Sequence, residues 1–202
     1  MAFKTATRVD PFADPRTRGD AARMGMGIFL VGVAMLFGAS ILGYLVVRLD
    51  PERHEPWRAI ADPELPHSLI LSTLVIVALS AALHASRAAA ARDDARACGR
   101  WARAAALLAG GFLVCQAYAW WIMVREDLRL QDGLYAWTFY VLTALHAAHV
   151  LGGLPSLGVV AVRAGAGRYR GADRTGLDLC TMYWDALGVI WGILYLVLWL
   201  GS

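Results

Sequence analysis

The sequence predicts an all-α integral membrane protein: a bundle of five transmembrane helices, with the N-terminus in the cytoplasm and the C-terminus on the far side. Three observations predict it. First, 58% of the 202 residues are hydrophobic and 8 are Trp, a composition typical of membrane proteins. Second, five apolar runs, each long enough to cross a bilayer as a helix, are separated by polar segments. Third, basic residues alternate in abundance from one connecting segment to the next. The tail, the segment after the second run and the segment after the fourth hold 14 of the 19 Lys and Arg, and the other two segments hold 5. Cytoplasmic segments carry the excess of Lys and Arg, so the richer side, with the N-terminus, is the cytoplasmic one.

Residues 1–23 read as a polar, basic cytoplasmic tail, flexible and able to lie on a partner subunit; they lack the apolar core of a cleavable signal peptide. Residues 24–202 form the membrane domain. Its first span, Met24–Val47, carries Ala34/Gly38 and Ala39/Gly43, small pairs that favour close helix contact. A loop rich in Pro and acids, 48–67, precedes the second span, Ser68–Ser86. His67 and His84 stand near its two ends, within reach of water or headgroups. Residues 87–103 are rich in Ala and Arg and predict a helical extension at the membrane surface, with Gly99 its one breaker. The third span, Ala104–Val124, ends in Trp120-Trp121, an interfacial aromatic anchor. A short loop leads to the fourth span, Gly133–Val162. The fifth, Leu179–Leu200, is interrupted by one charge, Asp185.

The fourth span is the most distinctive. Thirty residues between Asp132 and Arg163 carry no ionisable side chain except His146, His149 and two tyrosines. That is roughly 45 Å of helix, enough to cross with tilt. His146 and His149 are three apart and share a face. Ala144, Ala148 and Gly152 make a smooth stripe on which another helix can pack. Two histidines on one helix are a partial metal site at best, and no Cys or carboxylate accompanies them. The competing reading gives them hydrogen bonds to other helices, to backbone carbonyls, to polar groups such as Thr143 or Gln116, or to lipid. The three cysteines (Cys98, Cys115, Cys180) suggest neither a disulfide framework nor a zinc spacing, and the net charge of +3 reflects loop arginines, not a nucleic-acid surface.

Several runs now carry a resemblance. The fourth span has Tyr135, Thr138, Phe139, Thr143, His146, His149, Val150 and Gly153 in order; the third has Phe112-Leu113, Gln116 and Trp120; the last has Tyr183-Trp184 and Trp191; the first has Phe29-Leu30 and Met35. Together they resemble subunit III of the haem–copper oxidases, the cytochrome c oxidase subunit 3 family, in its short five-helix bacterial form, over roughly residues 24–200. The chain departs from the family pattern at four positions. Val33 and Ala119 stand where the family has Glu, Asp185 where it has His, and Gly188 where it has Asp.

The resemblance implies a non-redox subunit of a bacterial terminal oxidase, multi-pass in the cytoplasmic (inner) membrane with its C-terminus periplasmic. It implies no catalytic, metal or cofactor site in this chain. Haems and copper belong to partner subunits, and the whole complex oxidises cytochrome c or quinol, reduces O2 to water and pumps protons. The implied partners are oxidase subunit I, by direct helix packing, other oxidase subunits, and phospholipid held where the first two spans stand apart from the other three. His146, His149, Thr143, Gln116, Trp120, Tyr183, Trp184 and Asp185 are then candidates for structural or lipid contact. Asp185 either hydrogen-bonds to a neighbouring span or exchanges protons in place of the missing Glu. Three other readings stay open: the related accessory subunit of a nitric oxide reductase, a b-type haem carrier using histidines such as His84 and His149 on facing helices, and a transporter, for which no repeat is visible.

Overall fold

The computed structural model describes residues 15–49, 68–125, 134–170 and 174–201. They form five helices: α1 (Pro15–Arg48), α2 (Ser68–Ala91), α3 (Ala95–Arg125), α4 (Leu134–Gly165) and α5 (Thr175–Gly201). All five are long and apolar enough to cross a membrane. The tail before Pro15 and the loops 50–67 and 126–133, with His67, lie outside the described residues.

Helices α2, α3, α4 and α5 form a ring in which each packs on the next and α5 closes on α2. Every neighbouring pair in it is antiparallel. Helix α1 stands outside the ring, against α5 and α4. In lipid no hydrophobic force drives helices together, so close van der Waals fit and hydrogen bonds must do it. The α2–α3 pair meets these terms with small residues: Ala82, Ser86, Ala89 and Ala90 are buried against α3, where Ala97, Ala102, Ala105 and Ala109 are buried in turn. The Ser86 hydroxyl donates to the Cys98 carbonyl at 3.0 Å.

The structure departs from two expectations. Residues 87–103 are not one surface helix. The chain turns at Arg92–Asp94, with Asp93 left-handed at φ 57°, and Asp94 starts α3 by accepting from the Ala97 amide at 2.9 Å. Asp is among the best residues for this capping role, and the pair Asp93-Asp94 marks the break. Gly99 is not a breaker either. It admits α4, because a Cβ there would stand 2.9 Å from the Gly165 Cα. The second correction concerns the first two spans, which do not stand apart together. Helix α2 is built into the ring, and α1 alone is peripheral.

Helix α1 also starts earlier than the predicted span, at Pro15 instead of Met24. Its first turns are seated on the start of α5, where a Cβ on Gly19 would lie 3.4 Å from the Thr175 hydroxyl. At the other end Tyr44 donates to the Val197 carbonyl at 3.4 Å, and Arg48 caps the Leu200 carbonyl. The Leu200 carbonyl is among the last four of α5, which a helix C-terminus leaves without intrahelical partners. Between its two clamped ends α1 packs on the ring through Val33 and Phe37, both buried. Gly25, Gly27, Gly32, Gly38 and Gly43 all have open space where a Cβ would stand, so the small pairs of this helix make no tight contact among the described residues.

Candidate functional site

The predicted residues fall into three groups. The first lies inside the ring. His146 is fully buried, with its ring 5.1 Å from that of Trp191, 5.6 Å from Phe112 and 6.1 Å from Phe37, centroid to centroid. Among the described residues neither of its nitrogens has a hydrogen-bond partner, and neither does the amide of buried Gln116. The expected bonds from His146 to Thr143 or Gln116 are therefore not made. Thr143 is already committed: it donates to the Phe139 carbonyl at 2.6 Å and accepts from Trp120 Nε1 at 3.0 Å, tying α3 to α4.

His149 is only half-buried and lies 5.1 Å from the Phe37 ring. Its Nδ1–H donates to the Leu145 carbonyl at 2.8 Å, and its own carbonyl accepts from Tyr183 at 2.7 Å. That last bond needs α4 and α5 close together, and Gly153 provides the space. A Cβ there would fall 2.5 Å from Tyr183 Cε1 and 3.2 Å from Trp184 Cζ2. Trp184 itself is fully buried.

The second group is a polar seam between α2 and α5. It has three rungs. At the Arg-rich end Asp178 accepts from Arg87 Nε at 2.8 Å and Arg23 Nη2 at 3.1 Å, with Arg174 at 3.8 Å. Two turns along, Asp185 accepts from the Ser80 hydroxyl and has His84 Nε2 at 3.0 Å. Near the far end Trp191 Nε1 donates to Thr73 at 3.1 Å. On α2 the rungs are Thr73, Ser80 and Arg87, seven residues apart; on α5 they begin Asp178, Asp185 at the same interval. Seven residues are about two helical turns, so each set stays on one face. Asp178 escaped the sequence reading because it sits one residue before the predicted fifth span. The available signals were an acid in the first turn of a helix, which the helix dipole favours, and the arginines around it.

The third group lines a groove of about 780 Å³ between α1, α4 and α5. Met26 and Phe29 form one wall and Leu179, Cys180 and Tyr183 the other, over a floor of Ala148, Gly152 and Gly153. The stripe expected to receive a helix thus lies partly open: Ala144, Ala148 and Gly152 are exposed, and nothing stands within 4 Å of a Cβ on Gly152. Arg163 and Tyr169 stand at the Arg-rich mouth. Among the described residues the buried Tyr169 hydroxyl has no hydrogen-bond partner. Burial pushes it above its usual range while nearby Arg163 pulls the other way, so it stays a neutral donor at physiological pH.

Among the described residues no three His, Cys, Asp or Glu come together as a metal site. His84 faces outward at the α2–α5 seam and His149 lies beside α1, so these two rings do not converge as a haem carrier would require.

Five membrane-length helices, the fourth bearing two histidines, define a multi-pass helical membrane protein. Comparison with known proteins then specifies which. The sequence matches the family Cytochrome c oxidase subunit III over residues 16–202. It is 27% identical to cytochrome c oxidase subunit 3 of Corynebacterium diphtheriae over 90% of this chain and 89% of that protein. It is 29% identical to the Thermostichus vulcanus protein of that name, over 88% and 86%. The Synechocystis counterpart is 27% identical over 90% of this chain and 76% of its own length. The chain belongs to the cytochrome c oxidase subunit III family.

Proposed function

We propose that the chain is the non-redox subunit III of a bacterial terminal oxidase, set in the inner membrane with its N-terminus in the cytoplasm. In this reading it packs on subunit I, holds phospholipid, and supports assembly and turnover stability of a complex that reduces O2. Haems and copper reside in the partner subunits, and the electron donor is cytochrome c or quinol. The family match favours an oxidase over the related nitric oxide reductase accessory subunit.

The observation that carries lipid binding is the groove. Its walls suit acyl chains, and its mouth offers a cation and a buried, unpaired hydroxyl donor on the basic side of the membrane. Basic residues at that surface each add about 1 kcal/mol of attraction to anionic lipid. Helix α1, clamped at both ends, keeps the groove open between them. Asp185 belongs to the seam in this reading: its hydrogen bonds to α2 make it a structural acid.

The test is to purify the complex carrying Arg163→Ala with Tyr169→Phe. The expected result is less co-purifying phospholipid, an unchanged initial rate and faster loss of activity during turnover. Unchanged lipid content and unchanged durability would refute the lipid role.

A further inference from the structure

The middle rung of the seam differs from the other two. Trp191 is fully buried and the Asp178 side chain is 7% exposed, whereas Asp185 is 34% and its partner His84 52% exposed. Both lie within membrane-length helices. Beyond them, away from Arg87 and the Arg-rich end, the face is apolar. On α2 the residue seven before His84 is Val77, 61% exposed; on α5 the residue four after Asp185 is Val189, 65% exposed. Gly192, on the same side of α5, has open space where a Cβ would stand. Bare against lipid tails, an acid–imidazole pair is strongly disfavoured; ionisable groups in spans face protein or water instead. Ser80 and His84 occupy one side of the carboxylate and leave the other outward.

We propose that this α2–α5 face is where the chain docks on a transmembrane helix of a partner subunit, and that the docked helix presents a hydrogen-bond donor to the Asp185–His84 pair. The partner's chemistry follows from the pair. A carboxylate with lone pairs to spare asks for an Arg, Lys, Ser, Thr, Tyr or Trp donor, and the apolar flanks ask for an apolar helix around it. The groove of α1, α4 and α5 then faces away from this contact and toward lipid. This assignment of a docking face rests on the proposed membership of an oxidase complex.

The test is photo-crosslinking in the assembled complex. Benzoylphenylalanine is placed at Val77 and, separately, at Val189, with Val159 in the groove as the comparison site. Both seam positions are expected to crosslink to a co-purifying membrane subunit, within about one helical turn of a donor side chain, and Val159 to give lipid adducts. Lipid adducts alone at Val77 and Val189, or partner crosslinks confined to Val159, overturn the docking face. In parallel, Asp185→Leu is expected to lower retention of the subunit by about tenfold, the scale of one hydrogen bond to a charged group, and Asp185→Asn to keep most of it. Equal retention of both variants contradicts the donor. If the chain crosslinks at the seam to a complex without an oxidase subunit, the docking face stands and the oxidase reading fails. If an oxidase co-purifies and only the groove crosslinks to it, the reverse holds.

Discussion

Two flanks of α5 are built on opposite rules. Toward α2 the helices are joined at intervals of about two turns by Asp178–Arg87, Asp185–Ser80 and Trp191–Thr73. Toward α1 and α4 the helices part around a groove: Gly152 and the mid-helix glycines of α1 face open space, and among the described residues the polar ties are those at the two ends of α1 and the Tyr183 bond to the His149 carbonyl of α4. The difference teaches how a chain without an aqueous hydrophobic force sets its own contacts. Where polar side chains recur on one face of two helices, the pair closes, because those groups find few other partners in hydrocarbon. Where the same length of helix presents small side chains and a basic residue only at the mouth, a groove is left for another occupant.

Substitutions test that contrast. The largest effect is expected at Asp178, whose buried carboxylate holds arginines from α1, α2 and the α4–α5 connection. Breaking a buried pair costs roughly 3–5 kcal/mol, but these arginines are a third or more exposed, so Asp178→Asn should destabilise by about 2–3 kcal/mol. Detergent titration of the purified complex would read this as early loss of the subunit, and wild-type resistance would remove the seam's main tie. Next comes Gly153→Ala. With Tyr183 Cε1 only 2.5 Å from the new Cβ, α4 and α5 must part or Tyr183 must leave its bond to the His149 carbonyl, a loss of about 1–3 kcal/mol. Thermal melting of the complex checks it.

A smaller effect separates seam from groove more sharply. Thr73→Val removes the far rung while keeping shape, and polar contacts between membrane helices average about 0.6 kcal/mol. Gly152→Ala, on the open floor of the groove, should change stability by less than about 0.5 kcal/mol, as substitutions with free space around them do. The contrast collapses if Gly152→Ala is as harmful as Gly153→Ala one residue away.

The five helices were legible because a membrane span announces itself as a long apolar run, a property of one segment read alone. The family was legible from His146, His149 and Gly153 in register on the fourth span. The arrangement of the helices was not. The seam depends on residues 91 and 105 positions apart in sequence, and a seven-residue interval within one helix has no meaning until its partner is known. Asp178 fell one residue outside the predicted fifth span, and its partners on α1 and α2 are far away in sequence. The Arg92–Asp94 turn was missed because an Ala- and Arg-rich stretch satisfies helix propensity on both sides of it, so Asp93-Asp94 alone carried the break. The isolation of His146 was also hidden: the sequence offered Thr143 and Gln116 as partners, and only packing shows that Thr143 is spoken for by Trp120.

A cryo-electron microscopy map of the assembled complex in a lipid nanodisc tests the contrast most directly. The expected map has acyl-chain density between α1, α4 and α5 with a headgroup beside Arg163 and Tyr169, and a protein helix over Ser80, His84 and Asp185. Lipid chains lying along the outer face of the α2–α5 seam, with a partner helix filling the groove instead, would contradict it.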